Sequence, residues 1–130
     1  MLFLSLGRKQ EEIKMSKKIL IIDDDPAIVR YLTVLFSDNG YATCSATDGK
    51  EAYEVYLREE PDLITLDLEM PEEWGPRFYR KISKIKGFDT PVIVVSGLPG
   101  QKYSISRAVA AFSKPFDREE LLAAVKKIIG

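Results

Sequence analysis

From Lys17 onward, short apolar runs alternate with segments whose apolar residues return every three or four positions. Ile19-Leu-Ile-Ile22, Leu63-Ile-Thr-Leu66 and Val92-Ile-Val-Val95 are β-branched and almost wholly apolar. Such runs suit parallel strands covered on both faces. Tyr41-Ala-Thr-Cys-Ser45 and Ala108-Val-Ala-Ala-Phe112 give weaker strand patterns. Between these runs, Ile28, Leu32, Leu35 and Phe36 line one face of a helix that has Pro26 in its first turn and stops at Asn39-Gly40. Asp48 caps a second helix carrying Ala52, Val55 and Tyr56, which ends before Pro61. A third helix is predicted from Pro76 to Lys86, ahead of Gly87. Asp117 caps the last, with Leu121, Leu122, Val125, Ile128 and Ile129 as its stripe.

Strict alternation of strand and helix implies an α/β domain: a five-stranded parallel sheet with helices on both faces. Right-handed crossovers and five strands point to the flavodoxin-like order 2-1-3-4-5. The segment between Ser96 and the fifth strand contains Gly97, Pro99 and Gly100, so the fourth helix is expected to be short or irregular. Residues 1–16 read as an N-terminal extension and 17–130 as the domain. The opening Met1-Leu-Phe-Leu-Ser-Leu6 is too short to span a bilayer and lacks the preceding basic residues of a secretory signal.

Composition narrows the chemistry. With 19 Lys+Arg against 20 Asp+Glu, the net charge of −1 argues against direct nucleic-acid binding through a basic stripe. Cys44 is the single cysteine, so no internal disulfide forms and a cytoplasmic setting is expected. The chain has no histidine. That removes imidazole acid–base catalysis, His-ligated zinc and a phosphohistidine donor.

In open α/β sheets, sites form at the carboxyl ends of the strands. Strand one runs into Asp23-Asp24-Asp25, strand three into Asp67, strand four into Ser96-Gly97, and strand five into Ser113-Lys114-Pro115. Strands one and three are neighbours in this order, so their carboxylates converge. Such a cluster calls for a cation, and oxygen donors at a hydrated site suit Mg²⁺. An Asp nucleophile can form an aspartyl-phosphate, whose charge a metal, a hydroxyl and an ammonium would stabilise. Asp24, Asp67, Ser96 and Lys114 supply those groups.

Residues 17–130 resemble the receiver domain of bacterial two-component response regulators. The matching motifs are Ile21-Ile-Asp-Asp-Asp-Pro26, Asp67-Leu-Glu-Met-Pro71, Val94-Val-Ser-Gly97 and Ser113-Lys-Pro-Phe116. The resemblance implies that Asp67 accepts a phosphoryl group from a sensor histidine kinase or phosphotransfer protein. It implies Mg²⁺ held by Asp23, Asp24, Asp67 and the backbone carbonyl of Glu69, and a phosphoryl group contacted by Ser96 and Lys114. A cis Lys114-Pro115 bond is also expected. The protein would then be a signalling component rather than an enzyme, with at most slow self-catalysed phosphorylation and dephosphorylation. Its output would go to a downstream protein, and a homodimer through the fourth helix, fifth strand and last helix is an expected mode. The last helix runs to the end of this sequence, so output is expected through binding a partner or through a domain outside these residues. Glu69 is expected to hinder the water that hydrolyses the phosphoform, Leu98 holding the companion position after Ser96.

The sequence also departs from the family. Trp74 stands where a small acidic residue is usual, either packed over the third helix or exposed as a partner anchor. Ala111 replaces the aromatic residue that, with Ser96, forms the switch region. Ser96 to Lys114 is roughly four residues short, about one helical turn. Ala111 and the shortened segment motivate an alternative, a phosphorylation-independent pseudo-receiver. A haloacid-dehalogenase-type hydrolase is a further reading of Asp67-Leu-Glu69, but its acid pair follows the first strand.

Overall fold

The computed structural model describes residues 16–97 and 108–130. The expected short fourth helix, Leu98, and nearly all of the N-terminal extension lie outside the described residues.

Five strands form one parallel sheet in the order β2-β1-β3-β4-β5. They are β1 (Lys18–Ile22), β2 (Ala42–Ala46), β3 (Leu63–Leu66), β4 (Val92–Ser96) and β5 (Ala110–Ser113). The helices are α1 (Pro26–Asp38), α2 (Gly49–Glu59), α3 (Trp74–Ser83) and α4 (Arg118–Ile129), with a 3-10 turn at Pro71–Glu73 before α3. Asp25, Asp48 and Asp117 cap α1, α2 and α4 by accepting amide hydrogens from the first helical turns.

Alternate residues along each strand enter two separate cores. Leu20, Ile22, Ile64, Leu66, Val92 and Val94 pack under α2 and α3, meeting Ala52, Val55, Phe78 and Ile82. Ile19, Ile21, Leu63, Ile93 and Val95 pack under α1 and α4, meeting Leu32, Phe36, Leu121 and Val125. Burial of each large side chain contributes roughly 1.5–3 kcal/mol, and because both faces are covered the strands cannot slip by one residue.

Three boundaries differ from those the sequence predicts. β2 is displaced by one residue, because its register is set by Lys18–Ile22 of β1 pairing with Ala42–Ala46. β5 starts at Ala110, two residues late, because its extent is set by pairing with Ile93–Ser96 of β4 and not by its own apolar run. Helix α3 starts at Trp74 rather than Pro76, the proline fitting inside the first turn. It ends at Ser83, and the chain then turns through Gly87, at φ +81°.

No helix among the described residues is long and apolar enough to cross a membrane.

Candidate functional site

Parallel strands bring all their carboxyl ends to one edge of the sheet, and the strand order decides which meet. The Asp67 amide donates to the Ile22 carbonyl at 2.9 Å, and the Asp23 amide to the Ala46 carbonyl at 3.2 Å. The ladder thus runs one residue past the strands and fixes Asp23 and Asp67 side by side. Both are 2 % exposed. The acidic triplet then divides its work. Asp25 turns away to cap α1, accepting from the Ala27 amide at 2.9 Å. Asp23 Oδ1 accepts from the Asp25 amide at 2.9 Å, which tightens the turn. Asp24 stays exposed, and one carboxylate oxygen from each of Asp23, Asp24 and Asp67 lies within 4.8 Å of the others.

Lys114 closes the cluster from β5. Its amide donates to the Ser96 carbonyl at 2.8 Å, and its Nζ reaches Asp23 Oδ2 at 2.7 Å and Asp67 Oδ2 at 3.7 Å. The Lys114-Pro115 bond is cis, as expected. Burial raises the Asp67 carboxyl, the neighbouring charges of Asp23 and Asp24 raise it further, and the Glu69 amide and Lys114 oppose them, leaving it at about 6. It is therefore largely ionised at neutral pH. Burial pulls the Lys114 ammonium down, but its bond to Asp23 and the charges of Asp23, Asp67 and Glu69 outweigh that and raise it.

Ser96, at the end of β4, is buried, and its hydroxyl donates to Glu69 Oε1 at 3.3 Å. The Glu69 amide donates to Asp67 Oδ1 at 3.0 Å. Glu69 thus links the segment after β3, which carries Asp67, to Ser96 at the end of β4. The resemblance pointed to the Glu69 carbonyl and to an effect on water, but not to this bond, which depends on a side chain crossing between strands.

The remaining sequence-singled residues lie apart from this cluster. Ala111 is exposed on β5 and pairs with Val94. Trp74 is half-buried, its ring packed on Gly49 at the start of α2 rather than over the third helix as the packed reading had it. Cys44 is half-buried, with burial foremost pushing its thiol up to about 11. Its thiol is therefore largely protonated at neutral pH.

Three hard-oxygen carboxylates, one open to solvent, fit Mg²⁺, which retains water and bridges carboxylates to phosphate. Their number and closeness leave more negative charge than Lys114 alone neutralises.

The fold and this edge define a receiver-type domain. The family model described as the response regulator receiver domain matches residues 19–126, and the chain belongs to that family. It is 38% identical over 116 residues to Protein Rrf1 of Nitratidesulfovibrio vulgaris, covering 88% of this chain and 84% of that protein. It is 33% identical over 120 residues to sporulation initiation phosphotransferase F of Bacillus subtilis, covering 88% and 95%. Other curated relatives are longer, and the chain spans about half their length, 48% to 51%. Among solved structures, the receiver domain of the Francisella response regulator 1452 superposes with a TM-score of 0.78 at 31% identity, covering 88% of this chain and 97% of that one. Phosphorylation-type two-component signalling is the general setting of such domains.

Proposed function

We propose that this domain accepts a phosphoryl group on Asp67 from the phosphohistidine of a sensor kinase or phosphotransfer protein, and signals through protein contacts. The observation that carries this reading is the convergence of Asp23, Asp24 and Asp67 with the Lys114 ammonium at one end of the sheet. An Asp67 carboxylate oxygen attacks phosphorus, forming the P–O bond as the P–N bond to the donor imidazole breaks. The departing imidazole nitrogen keeps the electron pair and takes up a proton from solvent. Asp23, Asp24, Asp67 and the Glu69 carbonyl would hold Mg²⁺, which supplies the positive charge that the transferring oxygens need. Lys114, already beside Asp67, neutralises the charge on the phosphoryl group, and Ser96 donates its hydroxyl to a phosphoryl oxygen once released from Glu69. On this reading, turnover is limited to slow self-catalysed phosphorylation and dephosphorylation. The setting is the reducing cytoplasm, which suits a lone cysteine.

A second reading, a phosphorylation-independent interaction module, draws support from the short Ser96–Lys114 spacing and from Ala111, which gives the switch position no aromatic side chain to move. Affinity for a downstream partner, compared between wild type and Asp67→Asn before and after acetyl phosphate treatment, separates the two. The main reading requires a phosphorylation-dependent change that the variant loses.

A further inference from the structure

The helix that follows the site loop carries charges the proposed phosphoryl chemistry does not use. Between Trp74 and Phe88 the sequence holds Arg77, Arg80, Lys81, Lys84 and Lys86, and no Asp or Glu. Arg77, Arg80, Lys81 and Lys84 follow the spacing i, i+3, i+4, i+7, so they form one stripe along α3 and its C-cap, and all are exposed. The opposite face buries Phe78, Tyr79 and Ile82. With a net charge of −1 for the chain, the stripe is a local concentration of cations rather than a reflection of composition.

Intramolecular roles do not account for it. Like charges at these spacings repel along a helix. Among the described residues, the ion pairs lie elsewhere, at Lys18, Arg58, Lys114 and Arg118. The helix dipole favours Arg80 and Lys81 in the last turn but disfavours Arg77 in the first. Arg77 rests 4.4 Å above the Trp74 ring, and Lys81 lies 3.8 Å above the Tyr53 ring. These aromatic supports hold two cations in place without neutralising them. Arg80 and Lys84 have neither an ion pair nor an aromatic support among the described residues.

We infer that the outward face of α3 docks an acidic helix of a protein partner. A helix with carboxylates at i, i+3, i+4 and i+7 matches the stripe in charge and length, about 10 Å at the rise of an α-helix. Nucleic acid fits less well. The Trp74 and Tyr53 rings already carry cations, so neither offers a free platform for stacking bases. The surface lies outside the Asp67 cluster, so the inference stands whether or not Asp67 is phosphorylated.

The test uses the full unmodified chain and a fluorescein-labelled, alanine-based helical peptide with Glu at those four spacings. Short duplex DNA and phosphatidylserine vesicles are measured beside it at the same ionic strength. Binding of the peptide is expected by fluorescence anisotropy, weakened about tenfold or more by Arg80→Glu/Lys84→Glu. The exposed pair Lys126→Glu/Lys127→Glu on α4 should change it by less than about twofold. The α3 variant should melt within about 5 °C of wild type, because its new attractive pairs with Arg77 and Lys81 offset the cost of carboxylates near the C-terminal end of the helix. A larger drop in melting temperature for that variant would instead assign the cations a structural role and overturn the inference. So would absent peptide binding, equal loss in both variants, or tighter binding of DNA or vesicles than of the peptide.

Discussion

The Glu69 carboxylate fills the space above Gly97 where a β-carbon would stand, and from there it accepts the Ser96 hydroxyl at 3.3 Å. The absence of a side chain at Gly97 therefore lets a negative charge sit at the mouth of the proposed phosphoryl site. That charge should hinder an incoming water or phosphodonor. Glu69→Asn is expected to speed decay of the phosphoform several-fold, on the order of 1 kcal/mol in the barrier. Gly97→Ala should act in the same direction, since its new methyl group displaces the flexible end of Glu69. Phosphoform lifetimes followed by mass spectrometry decide this; decay that is unchanged or slower in Glu69→Asn rules the explanation out.

The raised Asp67 carboxyl makes the metal-free protein pH-sensitive. Its folded value of about 6 stands above the ordinary carboxyl value of 3.8, foremost because of burial. The folded state therefore holds its proton longer than the unfolded state, and stability falls as pH rises through that window. Asp67→Asn removes the penalty. In chelator, it should be about 2 kcal/mol more stable than wild type at pH 7, with the advantage vanishing near pH 4. Urea titrations across this range check both sign and window.

Removing Lys114 has the opposite consequence. Lys114→Met leaves buried Asp23 and Asp67 without their cation. The expected loss is about 2–3 kcal/mol without metal, less than for a fully buried pair because Lys114 is partly solvated. Mg²⁺ should restore a large part of that loss, which unfolding curves with and without Mg²⁺ would reveal.

Gly75 is where α3 presses on the site strand. A β-carbon there would come 2.5 Å from the Asp67 carbonyl and 2.8 Å from Leu68 Cα, both backbone atoms that cannot swing aside. Gly75→Ala is expected to destabilise the fold by about 1–3 kcal/mol through overpacking. It should also slow labelling of Asp67 by acetyl phosphate, whereas a substitution at exposed Gly87 would leave labelling unchanged.

The sheet order and its central strands were readable because β1, β3 and β4 are covered on both faces and so nearly all apolar. Asp23, Asp67 and Lys114 were readable because each directly follows a strand, where backbone geometry alone determines its place. What the sequence did not show depends on contacts between distant segments. The start of β5 follows from its pairing with β4 rather than from its own pattern. The early start of α3 comes with Glu72 and Glu73 at φ +59° and +56°, a left-handed pair that glutamate rarely adopts and that local propensity would not suggest. The Glu69–Ser96 bond likewise joins residues 27 positions apart.

The account rests most directly on Asp67 as a metal-dependent phosphoacceptor. Intact-mass spectrometry after incubation with acetyl phosphate, with Mg²⁺ or with chelator, on wild type and Asp67→Asn, tests it in one experiment. The account predicts a single phosphoryl adduct that requires both Mg²⁺ and Asp67. An adduct that persists in Asp67→Asn, or none on wild type in Mg²⁺, would contradict it.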